Sequence, residues 1–177
     1  MANCYQSLDQ KPYESRYLYA ETVIDRSVET VWPHVLHIGT WMSDHRLETI
    51  AGEPGGVGHF ERVFPHDISS TVPQPHYHLY GVAEIIPLKY IALEIFPAKG
   101  GSYGVTRPSM GFDNIVVTDM GSSTKVTCIV IDVSPRVEEK SDISEVNSQR
   151  EKDARTLHRL NHYFDNLRRL VSAVSNV

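Results

Sequence analysis

The chain has 177 residues, a 41% hydrophobic content and a formal net charge of −5 at pH 7, which suits one soluble domain with a sizeable core. The acidic balance argues against a nucleic acid or an anionic membrane as partner. No apolar run approaches the roughly 20 residues that a membrane span needs, and the polar N-terminus lacks a signal-peptide core. We therefore expect a cytoplasmic protein without a membrane span.

The N-terminal segment differs from the rest of the chain, because residues 1–16 show no core pattern. We divide the chain into an N-terminal tail of residues 1–16 and a single domain of residues 17–177. The two cysteines are far apart, with Cys4 in the tail and Cys128 in a predicted strand. A disulfide framework is therefore not expected.

The first elements are a strand and a helix joined by a short turn. Residues 17–25 (YLYAETVID) are rich in aromatic and β-branched side chains, which is typical of a strand. Ser27 can cap a following helix, whose apolar face repeats over Val28, Val31, Trp32, Val35 and Ile38. Pro33 would clash with a carbonyl one turn earlier, so this helix is either kinked or begins at Thr30. A second short helical turn is expected over residues 41–45.

The middle of the chain predicts six more strands and an antiparallel sheet. The strands are expected over residues 46–51, 58–64, 76–86, 89–96, 110–119 and 124–133. Because most of the consecutive strands are joined by short turns, they pair antiparallel. Two long loops, 65–75 and 97–108, interrupt this series. The segment GEPGGVG (52–58) is interpreted as a hairpin turn, since the Lys and Ser/Thr of a phosphate-binding loop do not follow it.

A long amphipathic helix closes the chain, over about residues 148–174. Its apolar side chains recur every three or four positions, at Leu157, Leu160, Phe164, Leu167, Val171 and Val174. The opposite side is polar and includes His158 and His162. The i, i+4 spacing of these two histidines could bind a metal, but with no third ligand identified beside them we predict a solvated face. One long helix and one large sheet can bury each other's apolar faces.

The order of these elements resembles that of the START-like helix-grip superfamily, also called SRPBCC. The similar stretches are TVIDRSVETVW (22–32), the following Trp41, GGVGHFERV (55–63) and the terminal helix. The superfamily includes polyketide cyclases and dehydrases, pollen-allergen-like proteins and lipid-transfer domains, and GEPGGVG is similar to the glycine-rich loop of the pollen-allergen branch. The resemblance implies an α+β helix-grip fold, in which a curved antiparallel β-sheet wraps around the long C-terminal helix and encloses an internal cavity. It implies no catalytic set, because this superfamily shares none.

Two histidines on the fourth predicted strand are candidates for chemistry. His76 and His78 flank Tyr77, so a strand places both on the same face as Tyr80. Three interpretations stay open: a metal pair, hydrogen-bonding groups that line a pocket, or polar residues on the solvent face. A cupin-like metal site would need a Glu and a further His at set spacings downstream, which this sequence lacks. We predict no metal site.

Charged residues at predicted inward positions complete the candidate site. Asp153 continues the apolar stripe of the last helix one turn before Leu157, and Arg62 lies between Phe60 and Phe64 on a strand. An inward acid and an inward base suit proton transfer or the polar head of a ligand. The alternative is that the helix lifts off the sheet near Asp153 and leaves it in water.

The predicted site residues fall into two groups. The catalytic residues are predicted to be His76, His78 and Asp153. The ligand-binding residues are predicted to be Arg62, Tyr80, Trp41, Phe60, Phe64, Phe112 and Phe164.

Three functions remain open at this point. The first is a cofactor-independent enzyme of the polyketide cyclase/dehydrase kind, a lyase or isomerase, acting on a hydrophobic substrate. The second is a non-catalytic carrier of a lipid or another hydrophobic ligand, and the third is an interaction domain whose cavity is incidental. Inward polar groups paired near the centre of the cavity favour the enzyme, whereas a uniformly apolar cavity favours the carrier. The expected partner is a hydrophobic small molecule. The oligomeric state stays open, with a homodimer as one alternative.

Overall fold

The computed structural model describes residues 13–41, 46–64, 78–96, 110–135 and 143–174. It contains ten elements in the predicted order of one strand, two helices, six strands and a terminal helix. They are β1 (Tyr13–Ile24), α1 (Val28–Leu36), α2 (Ile38–Trp41), β2 (Arg46–Ala51), β3 (Phe60–Phe64), β4 (His78–Ile86), β5 (Tyr90–Phe96), β6 (Met110–Asp119), β7 (Thr124–Pro135) and α3 (Ile143–Val174).

The strands form one curved antiparallel sheet of seven strands in the order β1-β7-β6-β5-β4-β3-β2. All neighbours pair antiparallel, as the short turns between strands predict. β1 leaves the consecutive order and pairs with β7, so β1 and β2 form the two edges. Among the described helices, none combines the length and the apolar character that crossing a bilayer requires.

The first strand begins earlier than the sequence pattern predicts. β1 starts at Tyr13, inside the predicted tail of residues 1–16, and pairs with β7 over its whole length, from Tyr13 opposite Pro135 to Ile24 opposite Thr124. β1 starts early because β7 runs on to Pro135 and pairs with its first residues. Backbone hydrogen bonds between the two strands do not require a hydrophobic pattern in β1.

Helix α1 contains its proline. The helix begins at Val28, after an extended Ser27 whose carbonyl accepts the N–H of Thr30, so the alternative start at Thr30 is wrong. Pro33 lies inside the helix and is exposed. The packing of the helix outweighs the missing hydrogen bond at Pro33, because four of its side chains are buried: Val28, Val31, Trp32 and Val35.

The hydrophobic core lies between α3, α1 and one face of the sheet, which we call the inner face. Buried side chains alternate along the strands of this face, as in Ile91 and Leu93 of β5 or Ile115 and Val117 of β6. The predicted stripe of α3 is confirmed at four positions with 3% exposure or less: Leu160, Phe164, Leu167 and Val171. Leu157 is half-buried, because the stripe meets less of the core towards the start of the helix.

Candidate functional site

A cavity of about 230 Å³ opens beside this core, at the β3–β5 end of the inner face. Its walls come from the α1–α2 junction, from the glycine-rich loop before β3 and from three neighbouring strands. The described residues that line it are 36–40, Pro54, Gly55, His59, Glu61, Tyr80, Val82 and Leu93. Apolar and polar side chains therefore share the wall of a small volume.

The loop before β3 places His59 in this wall. The loop folds tightly, and a Cβ on Gly52 would lie 2.5 Å from the Gly58 carbonyl oxygen, so only glycine fits there. Gly58 N–H donates to the Val82 carbonyl, and Val82 N–H donates to the His59 carbonyl. These backbone bonds attach His59 to β4, and its side chain is 7% exposed.

The first polar group of the site, which we call the β3 cluster, consists of His59, Glu61 and Thr49. His59 Nε2 lies 3.6 Å from Glu61 Oε1 and 3.4 Å from Thr49 Oγ1. Glu61 pairs with Thr49 of β2 and with Tyr80 of β4. Burial raises the pKa of the Glu61 carboxyl, and the neighbouring His59 partly opposes this by lowering it. A carboxyl and an imidazole in such contact can exchange a proton with a bound molecule.

Tyr80, Asp113, Arg159 and Tyr163 form a second group, the helix-facing cluster. Asp113 is 9% exposed, and its Oδ1 has no hydrogen-bond partner within the described part of the chain. Burial raises the pKa of Asp113 to about 6, although the positive charge of Arg159 lowers it. Burial and then the Asp113 charge raise the pKa of the Tyr80 hydroxyl, while Arg159 lowers it. The two clusters meet at Tyr80, which lines the cavity.

Two of the predicted ligand-binding residues are core residues. Trp41 and Phe164 are 0% and 1% exposed, and their rings stack at 6.4 Å with an interplanar angle of 8°. Tyr163 packs edge-on against Trp41, and Asn166 Nδ2 donates to the Trp41 carbonyl at 3.1 Å. These contacts dock α2 on α3, and neither Trp41 nor Phe164 is among the described residues that line the cavity.

Phe60 lies on the other face of the sheet from Tyr80. It pairs with Gly81, and a Cβ on Gly81 would lie 2.6 Å from the Phe60 ring. Because side chains alternate along a strand, the faces of Gly81 and Tyr80 are opposite. The prediction placed Phe60 in the cavity, and its parity was off by one residue: Glu61 is the inward position of this strand.

The structure does not test the remaining predicted site residues as a group. His76 lies outside the described residues, as do the side chains of Arg62, Phe64, His78 and Phe112. Asp153 is half-buried and is not among the described residues that line the cavity. The grouping of His76, His78 and Asp153 therefore stays a prediction.

The two helix histidines differ in exposure. His158 is exposed, as predicted, whereas His162 is half-buried. Across the described part of the chain, no group of three or more His, Cys, Asp or Glu side chains is placed to hold a metal ion.

Three polar residues of the site were absent from the prediction: His59, Glu61 and Asp113. A signal for Asp113 exists, since it alternates with Ile115 and Val117 on β6 and must share their buried face. His59 has no comparable signal, because it precedes β3 and its position depends on the loop.

Comparison with known proteins supports the fold and leaves the chemistry open. No protein-family model matches the chain, and no curated protein sequence matches it. Among solved structures, a Staphylococcus aureus protein of unknown function shares 11% identity at a TM-score of 0.66, with 93% of this chain and 98% of that chain covered. A truncated norcoclaurine synthase from Thalictrum flavum shares 13% identity at a TM-score of 0.60, over 93% and 98% of the two chains.

A third similar structure is Ara h 8.0201, with 11% identity, a TM-score of 0.59 and coverage of 90% and 99%. Norcoclaurine synthase and Ara h 8.0201 are Bet v1-like proteins of the helix-grip superfamily. The chain has the helix-grip fold. At such identities the likeness extends to the fold alone.

Proposed function

We propose that the protein binds a small, largely apolar molecule in the cavity and acts on it by acid–base chemistry without a cofactor, in the manner of a cyclase or dehydratase. The observation that carries this proposal is the composition of the cavity wall. The apolar side chains of Leu36, Ile38, Val82 and Leu93 share the wall with His59, Glu61 and Tyr80. An apolar pocket with a few convergent polar groups is the usual form of a small-molecule site.

The size of the cavity supports a ligand of about one substituted ring. Pockets for drug-sized ligands span about 300–1,000 Å³, and an apolar cavity of about 150 Å³ accepts benzene. The volume of about 230 Å³ lies between these values. A monocyclic molecule with one or two substituents is therefore the class that fits best.

The pairing of polar groups favours an enzyme over a carrier. A carrier gains affinity from apolar area and loses it for each polar group that must give up water without a partner. Here the wall contains a carboxyl in contact with an imidazole, and Tyr80 adjoins the buried Asp113. Burial raises the pKa of both carboxyls, and raised carboxyl pKa values are typical of general acids and bases.

A non-catalytic carrier is the second candidate, because part of the cavity wall is apolar. Leu36, Ile38, Val82 and Leu93 would hold a ligand without chemistry. The two functions differ in what happens to the bound molecule, because a carrier releases it unchanged and an enzyme converts it. If the protein is an enzyme, Glu61→Gln should abolish the conversion.

Filling the cavity tests the proposal. Ile38→Trp adds bulk to the cavity wall, and Val23→Trp adds the same side chain at an exposed position on β1. Toluene and indole are titrated into each protein and followed by NMR. We expect saturable binding by the native protein, a loss of at least about tenfold in Ile38→Trp and a change within about twofold in Val23→Trp. No saturable binding of either probe, or equal affinity in Ile38→Trp, would contradict the proposal.

A further inference from the structure

The carboxylate of Glu61 faces the cavity with little to bond to. Its side chain is 17% exposed and lines the cavity near the beginning of β3. Among the described residues, the ion-pair contact of its carboxylate is with His59 Nε2, at 3.6 Å from Oε1. This separation exceeds the usual hydrogen-bond range of about 2.7–3.2 Å. A desolvated carboxylate with so few donors is costly unless another donor reaches it.

Among the described residues, the neighbouring side chains do not supply that donor. His59 is also in contact with Thr49 Oγ1, at 3.4 Å, and is held in the wall by its loop. Tyr80 pairs with Glu61 across the strands, but its hydroxyl interacts electrostatically with the helix-facing cluster, and Glu61 is not among the groups that shift its pKa. Two carboxylate oxygens offer about four acceptor positions. The described residues therefore leave most of this acceptor capacity available on the cavity side.

We propose that Glu61 accepts a hydrogen bond from an O–H or N–H group of the bound molecule, so that the ligand is an apolar molecule of about one ring with a hydrogen-bond donor at its edge. This inference rests on the proposed function, because it assigns the substrate class of the same cavity. A ligand donor would replace the water that Glu61 loses on burial and would favour its ionised form. Hydrogen bonds to a charged acceptor are the strong ones in proteins.

The test compares two probes of nearly equal shape, p-cresol and toluene, which differ by one hydroxyl group. Both are titrated at pH 8 into the native protein and into Glu61→Leu and Glu61→Gln, with affinities measured by NMR. Glu84→Leu is the matched control, since Glu84 is an exposed glutamate on the neighbouring strand β4. Neither probe ionises appreciably at this pH, because a phenol has a pKa of about 10.

We expect the native protein to bind p-cresol about tenfold more tightly than toluene. Glu61→Leu should abolish this preference and leave toluene affinity unchanged or higher. Glu61→Gln, which keeps an acceptor and the native shape, should reduce the preference several-fold, and Glu84→Leu should keep it.

Three results would overturn the inference. If both probes bind the native protein equally, the ligand class is wrong while the cavity stands. If the preference survives in Glu61→Leu, or in Glu61→Gln should the leucine variant not fold, another group is the acceptor. If neither probe binds the native protein, the proposed function fails and the inference fails with it.

Discussion

The two ends of the inner face of the sheet are built from the same alternation of side chains but have opposite properties. At the β1–β7–β6 end, the inward positions are mostly apolar and covered by α1 and α3, and Val126, Ile115 and Leu167 are all 0% exposed. At the β3–β5 end, the polar residues Glu61 and Tyr80 share the inward positions with Val82 and Leu93, and a cavity lies over them.

This difference separates the part of the sheet that stabilises the fold from the part that carries the proposed binding site. Close-packed apolar contacts at the covered end contribute most of the folding energy. The polar positions at the other end include the partly buried carboxyl of Glu61, which costs stability unless it meets a partner. The protein therefore has a covered end that holds the fold together and an open end whose polar groups are suited to a ligand.

The largest expected effect comes from the covered end. Phe164 is 1% exposed and stacks on Trp41 between α2 and α3. Phe164→Ala should lower the free energy of unfolding by about 3–5 kcal/mol, from lost burial and from the cavity left behind. Urea unfolding monitored by circular dichroism measures this difference.

The matched control lies on the exposed side of the same helix. His158→Ala should change the unfolding free energy by less than about 0.5 kcal/mol, because His158 is exposed. A loss below about 1 kcal/mol in Phe164→Ala would contradict the packing of α3 on the core.

A smaller effect of opposite sign is expected where the covered end meets the open one. Burial raises the pKa of Asp113 from 3.8 to about 6, so ionisation is less favourable in the folded chain than in the unfolded one. Below pH 3.8, Asp113 is neutral in both the folded and the unfolded chain, and its ionisation does not lower the free energy of unfolding. This free energy falls as the pH rises through about 6, because Asp113 then ionises in a buried position. Asp113→Asn removes this loss and should stabilise the protein at pH 8 by an amount on the order of 3 kcal/mol.

The pH dependence distinguishes this cause from simple repacking. Relative to the native protein, the stabilisation in Asp113→Asn should fall by about half between pH 8 and pH 5. Urea unfolding of both proteins at the two pH values gives the comparison. A stabilisation that does not change with pH, or a destabilisation at pH 8, would show that Asp113 is not the buried, pH-sensitive carboxyl described.

The sequence predicted the fold well because the covered end follows simple periodicities. The strand β6 has the predicted bounds, and four of the six positions of the α3 stripe are buried. Each of these elements has an apolar pattern that alone determines its orientation. β1 was predicted to begin at residue 17 rather than Tyr13, because its first residues depend on the β7 backbone and not on an apolar pattern.

The site was harder to predict because the open end lacks such patterns. On β3 the aromatic residues Phe60 and Phe64 suggested an inward face, but Phe60 covers Gly81 on the outer one. A shift of one residue exchanges every side chain between the faces, so Glu61 was missed. The position of His59 depends on the fold of loop 52–58, which its glycines permit but which no periodicity predicts.

The proposed binding site at the open end is tested most directly by locating a bound ligand with methyl NMR. Toluene is titrated into protein with labelled Ile, Leu and Val methyl groups, and the shifts at the two ends are compared. We expect saturable shifts and ligand contacts at the methyls that line the cavity, which belong to Leu36, Ile38, Val82 and Leu93. The methyls of the covered end, at Leu167 and Val171, should stay unchanged. Ligand contacts at Leu167 and Val171 with none at the cavity methyls would contradict the claim that the open end is the binding site.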